Sequence, residues 1–134
     1  MKRTYKFRAW VEGNEMVRVS GIQFEPDSPL SKPCIIDERN DIHQLKDIEL
    51  MEWTGFKDEK GNDIYENDII RLNDIKYIVK WDLNCSVYIA YQIQGKGDGI
   101  MNLFYLVINN SSEVIGNIFQ NPELLNKEQE GEIK

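Results

Sequence analysis

The feature that most constrains the fold is a period-two alternation of apolar and polar side chains, which recurs in short runs separated by turn residues. Alternation of this kind places one set of side chains on each face of a β-strand. The runs follow one another at intervals of roughly 8–12 residues, which is typical of a barrel or sandwich and not of alternating strands and helices. The sequence therefore predicts a mainly β protein.

The first 47 residues are predicted to form an N-terminal hairpin unit. A strand over residues 3–11 is followed by a turn at residues 12–15, where Gly13 and Asn14 both tolerate a positive φ. The chain then returns as a strand over residues 16–19 that continues toward residue 24. Residues 25–34 hold three of the four prolines. Because proline has no backbone N–H, this segment is predicted to be a loop or an edge. Residues 40–47 are predicted to form a short helix.

The second part of the chain, residues 48–126, carries a denser strand pattern. The predicted strands are residues 48–53, 68–72, 75–82, 86–93, 100–108 and 113–119. Gly95–Gly99 is interpreted as a hairpin tip, since a phosphate-binding loop would lead into a helix. Asn121 and Pro122 predict the start of a short C-terminal helix. Residues 127–134 are predicted to be a charged tail.

Three segments follow one another along nearly the whole chain: Lys6–Trp10 with Met16, Met51–Ile70, and Glu113–Leu125. Together they resemble the YopX-type proteins of phages and prophages. The resemblance implies a phage or prophage origin, expression in a bacterial cytoplasm, and a β-rich fold whose C-terminal part is an SH3-like small β-barrel. We expect the N-terminal hairpin unit to pack on this barrel. It brings no catalytic residue with it. Asn67 stands where the family commonly has glycine, which predicts a left-handed backbone turn at this position.

The charge and the cysteines exclude several classes of protein. The chain has a net charge of −7, and residues 25–68 contain 13 acidic and 5 basic residues. This balance disfavours non-specific binding to nucleic acid. The N-terminus lacks the apolar segment of an export signal, and no stretch is long enough to span a membrane. Cys34 and Cys85 are therefore expected to be reduced thiols, and a cytoplasmic protein with no membrane partner is expected.

The first candidate binding site is on the N-terminal strand. Lys6, Arg8 and Trp10 share the face opposite Tyr5 and Phe7, so a one-sided sheet would expose them as an aromatic and basic patch. The alternative is that both faces are covered and Trp10 packs under the proline-rich loop.

The second candidate is the signature segment around residues 54–70. Its members are Thr54, Gly55, Asp58, Gly61, Tyr65, Asn67 and Asp68. We interpret it as structural, with glycines in turns and Asp68 bonded to a loop backbone. The alternative is an acidic metal loop formed by Asp58, Asp63, Glu66 and Asp68, although the spacing does not fit an EF-hand.

A Cys34–His43 nucleophilic pair is a further alternative, but an isolated surface histidine is favoured because no third group is indicated. We predict no catalytic residue, no metal and no cofactor. The expected function is a non-enzymatic module that binds a host or phage protein. The alternatives are a nucleic-acid-binding β-barrel and a metal-dependent hydrolase. Exposed edge strands would also allow a homo-oligomer.

Overall fold

The computed structural model describes residues 2–25, 32–93, 99–108 and 111–125 of the 134-residue chain. The described strands are β1 (Phe7–Val11), β2 (Glu15–Gln23), β3 (Cys34–Asp37), β4 (Ile42–Gln44), β5 (Glu49–Lys57), β6 (Asp63–Tyr65), β7 (Asp68–Leu72), β8 (Ile75–Asp82), β9 (Val87–Gln92), β10 (Ile100–Asn102) and β11 (Ser112–Asn117). Helix α1 spans Leu103–Ile108, and short 3-10 helices span Leu45–Asp47 and Pro122–Leu125. The prediction of a mainly β protein is confirmed.

The chain divides into two compact units between Trp53 and Thr54. In the first unit the antiparallel strands lie in the order β4-β3-β2-β1-β5. The β1–β2 hairpin turns through Gly13 and Asn14, which both have positive φ, as their sequence predicts. The alternating residues of these strands meet in a buried core of Ala9, Val11, Val17 and Ile35.

The second unit contains an antiparallel sheet in the order β10-β9-β8-β7-β11. Strand β6 lies next to β5, and β6 and the second half of β5 both belong to this unit. Its core consists of Ile64, Ile70, Tyr77, Val79, Ala90, Leu103 and Leu106. Within the described residues, the order of the five strands does not close on itself, so they form an open sheet and not a closed barrel.

The predicted strand over residues 100–108 is wrong beyond Asn102, where the chain enters helix α1. The Asn102 side-chain oxygen accepts a hydrogen bond from the backbone N–H of Phe104 at 2.9 Å, which is the bond of a helix N-cap. Leu103 and Leu106 are three residues apart and are both fully buried. A short apolar run does not show by itself whether it is a buried strand or a helix.

The predicted helix over residues 40–47 is also wrong, because strand β4 and a 3-10 turn occupy this segment. The edge strand β4 pairs with β3, a strand that the sequence did not predict. The short helix after Asn121 is present as a 3-10 helix. Most of the proline-rich and Gly95–Gly99 loops and the predicted tail lie outside the described residues. Among the helices that the structure describes, none has the length and the apolar composition of a membrane span.

Candidate functional site

The predicted patch on β1 is partly covered. Arg8 and Trp10 lie on one face of β1, as predicted, and both side chains are half-buried. Met51 pairs with Arg8 from the neighbouring strand, so it shares this face, and it is fully buried. The face is therefore not open to solvent along its whole length.

The cations near this strand are engaged by groups of the same unit. The Lys6 ammonium lies 4.4 Å from the centre of the Trp53 ring, which is the geometry of a cation–π contact. Arg3 forms an ion pair with Glu52 at 3.1 Å. Arg8 is directly opposite Arg18 in the β1–β2 register, and Arg18 is exposed. Two of the positive charges near this strand, Lys6 and Arg3, are thus engaged, whereas Arg18 adds an exposed one.

The signature segment begins with a turn that connects β5 and β6. The Thr54 hydroxyl donates a hydrogen bond to the carbonyl oxygen of Ile64 at 2.7 Å and accepts one from the N–H of Phe56 at 3.2 Å. Gly55 and Gly61 have φ of 91° and 84°, a region that favours glycine. These residues shape the backbone.

Asp58 organises the loop between β5 and β6 and ties it to β11. Its buried carboxylate accepts hydrogen bonds from the backbone N–H groups of Lys60, Asn62 and Val114 at 3.0, 2.8 and 2.9 Å. Burial raises the pKa of Asp58, but these bonds and one from the Asn62 amide outweigh it and bring the pKa below its ordinary value. The geometry is that of a structural carboxylate.

Asn67 and Asp68 shape the turn before β7. Asn67 has a φ of 71°, which confirms the predicted left-handed turn. Its side-chain oxygen accepts a hydrogen bond from the Lys80 ammonium at 2.6 Å. Asp68 accepts a hydrogen bond from the backbone N–H of Tyr65 at 2.7 Å, which is the backbone bond expected for it.

The acidic residues of this segment are not gathered into a metal site. Asp63 forms an ion pair with Lys57 at 3.0 Å, and Asp58 faces backbone donors. Over the described ranges, no group of three or more His, Cys, Asp or Glu side chains could hold a metal ion.

The Cys34–His43 pair is not formed. Ile35 is the cross-strand partner of His43, so the adjacent Cys34 points to the other face of the sheet. His43 instead lies 2.9 Å from the carboxylate of the fully buried Asp37 through its Nε2 atom. It is therefore half-buried and bonded, unlike the isolated surface histidine that the sequence favoured.

Asp37 is the buried acid that sequence reasoning missed. The hydrogen bond from His43 holds the pKa of Asp37 below its ordinary value, although burial opposes this effect. The backbone N–H groups of Arg39 and Asp41 add bonds of 2.8 and 3.0 Å. The available signal was the strand geometry of Cys34–Asp37: side chains two residues apart point to the same face, so Asp37 lies on the face of the core residue Ile35.

An exposed apolar surface on helix α1 was also missed. Phe104, Tyr105 and Ile108, the α1 surface, are 48%, 59% and 46% exposed. The rings of Phe104 and Tyr105 are 5.8 Å apart, and Phe104 is 6.2 Å from Phe56. Ile108 lies one helical turn beyond Phe104, and the edge-strand residue Ile100 is 63% exposed. Contiguous apolar groups of this kind commonly mark an interaction site.

Comparison with known proteins gives a family and a fold. The sequence model of a family described as "YopX protein" matches residues 6–126. The chain is also similar to the crystal structure of protein EF1440 from Enterococcus faecalis, with 24% sequence identity and a TM-score of 0.55. The match covers 93% of this chain and 100% of the other, and at this identity it shows the fold alone. No curated protein matches the chain.

Proposed function

Since the chain belongs to the YopX protein family, we propose that it is a phage or prophage accessory protein that acts in the bacterial cytoplasm as a non-enzymatic protein-binding module. The α1 surface is the single observation that carries this proposal. Two aromatic side chains and an isoleucine, each about half exposed, stand on a helix whose other side, Leu103 and Leu106, is anchored in the core. Aromatic side chains on a rigid support are typical anchors of protein interfaces.

The negative charge of the chain indicates which charge the partner carries. A net charge of −7 attracts a protein whose apolar contact surface is rimmed by lysine and arginine. The partner is accordingly a host or phage protein with an apolar centre and a basic rim.

The test is affinity capture from host lysate, treated with nuclease, with the wild type and two variants. Phe104→Ser/Ile108→Ser removes two residues of the α1 surface. Leu83→Ser is the matched control, because Leu83 is 83% exposed in the β8–β9 turn. We expect one discrete protein that the wild type and Leu83→Ser retain and the double variant loses.

The captured protein is then purified and its affinity measured by calorimetry. We expect the double variant to weaken binding at least ~10-fold, as for a centrally placed anchor. Equal affinity of the wild type and the double variant, with all three proteins folded, would refute the role of the α1 surface. Self-association of the wild type in the same experiment would identify a second copy of the chain as the occupant.

Nucleic-acid binding through β1 is the second candidate function. The observation that favours it is the pair Arg8 and Arg18, two guanidinium side chains directly opposite each other in the β1–β2 register. The net charge of the chain and the ion pair between Arg3 and Glu52 oppose it.

A further inference from the structure

A small polar cavity lies in the first unit, beside the edge strand β4. Its volume is about 170 Å³, and it is lined by Glu12, Ile42, His43, Gln44, Asp47 and Ile48. These residues come from the β1–β2 turn, from β4, and from the 3-10 helix with the residue that follows it. The cavity is smaller than the roughly 300–1,000 Å³ of sites for drug-sized ligands, so its size suits one side chain.

His43 presents a defined nitrogen for a ligand. Its Nε2 atom faces the Asp37 carboxylate at 2.9 Å, and an ionised carboxylate can only accept. Nε2 is therefore the donor of this bond and the Asp37 carboxylate is its acceptor. Within the described residues, the His43 ring forms no second hydrogen bond. The buried Asp37 thus orients the imidazole and leaves Nδ1 as the ring nitrogen that can meet a ligand.

Two further polar residues of the cavity, Glu12 and Asp47, are acceptors, and the side-chain amide of Gln44 offers both a donor and an acceptor. The carboxylates of Glu12 and Asp47 form no hydrogen bond or ion pair within the part of the chain that the structure describes. Two unpaired carboxylates repel an anion and favour a cation with N–H donors. Ile42 and Ile48 supply apolar contacts, and Ile42 is largely exposed. An aliphatic stem that ends in a cation matches this combination.

We propose that this cavity binds one cationic side chain, a lysine or an arginine, of the partner protein. The inference rests on the proposed function, since the partner proposed there carries lysine and arginine side chains. The Glu12 and Asp47 carboxylates and Nδ1 of His43 accept hydrogen bonds from the cation, while Ile42 and Ile48 contact its stem. Nothing in this arrangement requires a metal ion.

The test uses small probes and does not need the partner. Nα-acetyl-lysine methylamide and its arginine analogue are titrated into the full chain, and Nα-acetyl-norleucine methylamide is the uncharged control. The readout is the imidazole ¹H–¹⁵N spectrum, which contains one set of ring signals because His43 is the single histidine. We expect saturable shifts with either cationic probe and none with the norleucine probe.

Two variants decide whether the carboxylates are responsible. Glu12→Gln/Asp47→Asn removes both charges from the cavity and should weaken probe binding at least tenfold. Glu25→Gln/Glu38→Gln removes the same number of charges from exposed positions of the same unit and should leave it unchanged. Equal weakening by both variants, or equal shifts with the norleucine probe, would overturn the proposal.

Zn²⁺ is titrated in parallel. Micromolar zinc that displaces the cationic probes from His43 would overturn the proposal in favour of a metal site. Because the probes test the first unit and the serine variants of Phe104 and Ile108 test the second, either proposal can fail without the other.

Discussion

At the scale of single residues, the signature segment is explained by the hydrogen bonds of a few buried polar groups. The Asp58 carboxylate bonds the N–H groups of its own loop and that of Val114 in β11. Bonds from several N–H groups to one carboxylate hold both segments in place, and each is stronger than a neutral hydrogen bond. Asp58, one of the acidic residues that suggested a metal loop, instead holds a tight turn.

Asp58→Asn should destabilise the protein by about 2 kcal/mol, because the amide nitrogen cannot accept the backbone bonds that the second oxygen accepted. Thermal and urea unfolding would measure the loss. Glu59→Gln is the matched control, since Glu59 is exposed and adjacent. Equal stability of the two variants would show that Asp58 does not hold the loop.

Asn67→Ala should cost about 2 kcal/mol, because alanine is strained at a φ of 71° and cannot accept the Lys80 hydrogen bond. Asn67→Gly should cost less, because glycine adopts this φ freely and loses only the side-chain bond. Urea unfolding measures the loss of stability in the alanine and glycine variants. Lys80→Met removes the same bond without altering the turn and should resemble Asn67→Gly. If alanine were as well tolerated as glycine, backbone strain would not be the cause.

At the scale of secondary-structure elements, helix α1 is divided between core and surface. Leu103 and Leu106 are fully buried, whereas Phe104 and Tyr105 are exposed. A six-residue helix is too short to be stable in isolation, so the two leucines hold it on the sheet. The same packing directs the neighbouring aromatic rings outward.

Leu106→Ala should reduce the free energy of unfolding by about 3 kcal/mol, because it leaves a cavity in the core of the second unit. Phe104→Ser should change it by less than about 1 kcal/mol, because much of that ring is already in water. Urea titration of both variants tests whether Leu106 belongs to the core and Phe104 to the surface. A large loss for Phe104→Ser would mean that the α1 surface is part of the core and would remove the basis for the proposed interface.

Strand β1 carries the second candidate function. A labelled single-stranded oligonucleotide should show no saturable binding at 0.15 M salt, because Lys6 and Arg3 are engaged and the chain is acidic. Fluorescence anisotropy at several salt concentrations measures this. Binding that weakens steeply with salt, and is lost in a folded Arg8→Glu variant, would restore the nucleic-acid hypothesis.

At the scale of the whole molecule, acid should destabilise both units. The pKa of Asp37 is lowered by the hydrogen bond from His43, and that of Glu113 by the hydrogen bond that it accepts from Lys60 and by the charge of Lys60. The pKa of Asp58 is lowered by its backbone donors despite burial. In each case the unfolded chain binds the proton more readily than the folded chain, so stability rises with pH across this range.

The contribution of these carboxylates should be complete above their ordinary pKa values of 3.8 and 4.5. It should be lost as the pH falls below them toward the lower values of the folded protein. Urea midpoints between pH 7 and pH 3 measure this loss. Asp58→Asn should show a shallower decline than Glu59→Gln. Parallel declines would mean that Asp58 does not contribute to the acid sensitivity.

The sequence by itself determined the strands whose alternation and turns are both local. The β1–β2 hairpin, β7 and β8, the left-handed turn at Asn67 and the family could all be predicted from it. Period-two patterning and positive-φ residues act over a few neighbours, so they are visible without knowledge of distant contacts. For the same reason Lys6, Arg8 and Trp10 could be placed near one another, although their degree of exposure could not.

Only the tertiary structure decided which polar groups are paired and which apolar groups remain in water. Asp58 bonds Val114 of a distant strand, and Asp37 meets His43 through the pairing of β3 with β4. Helix α1 forms where the local pattern fits a strand equally well, because Leu103 and Leu106 find a core to enter. Burial and hydrogen-bond partners depend on residues far apart in the chain, and local sequence therefore cannot specify them.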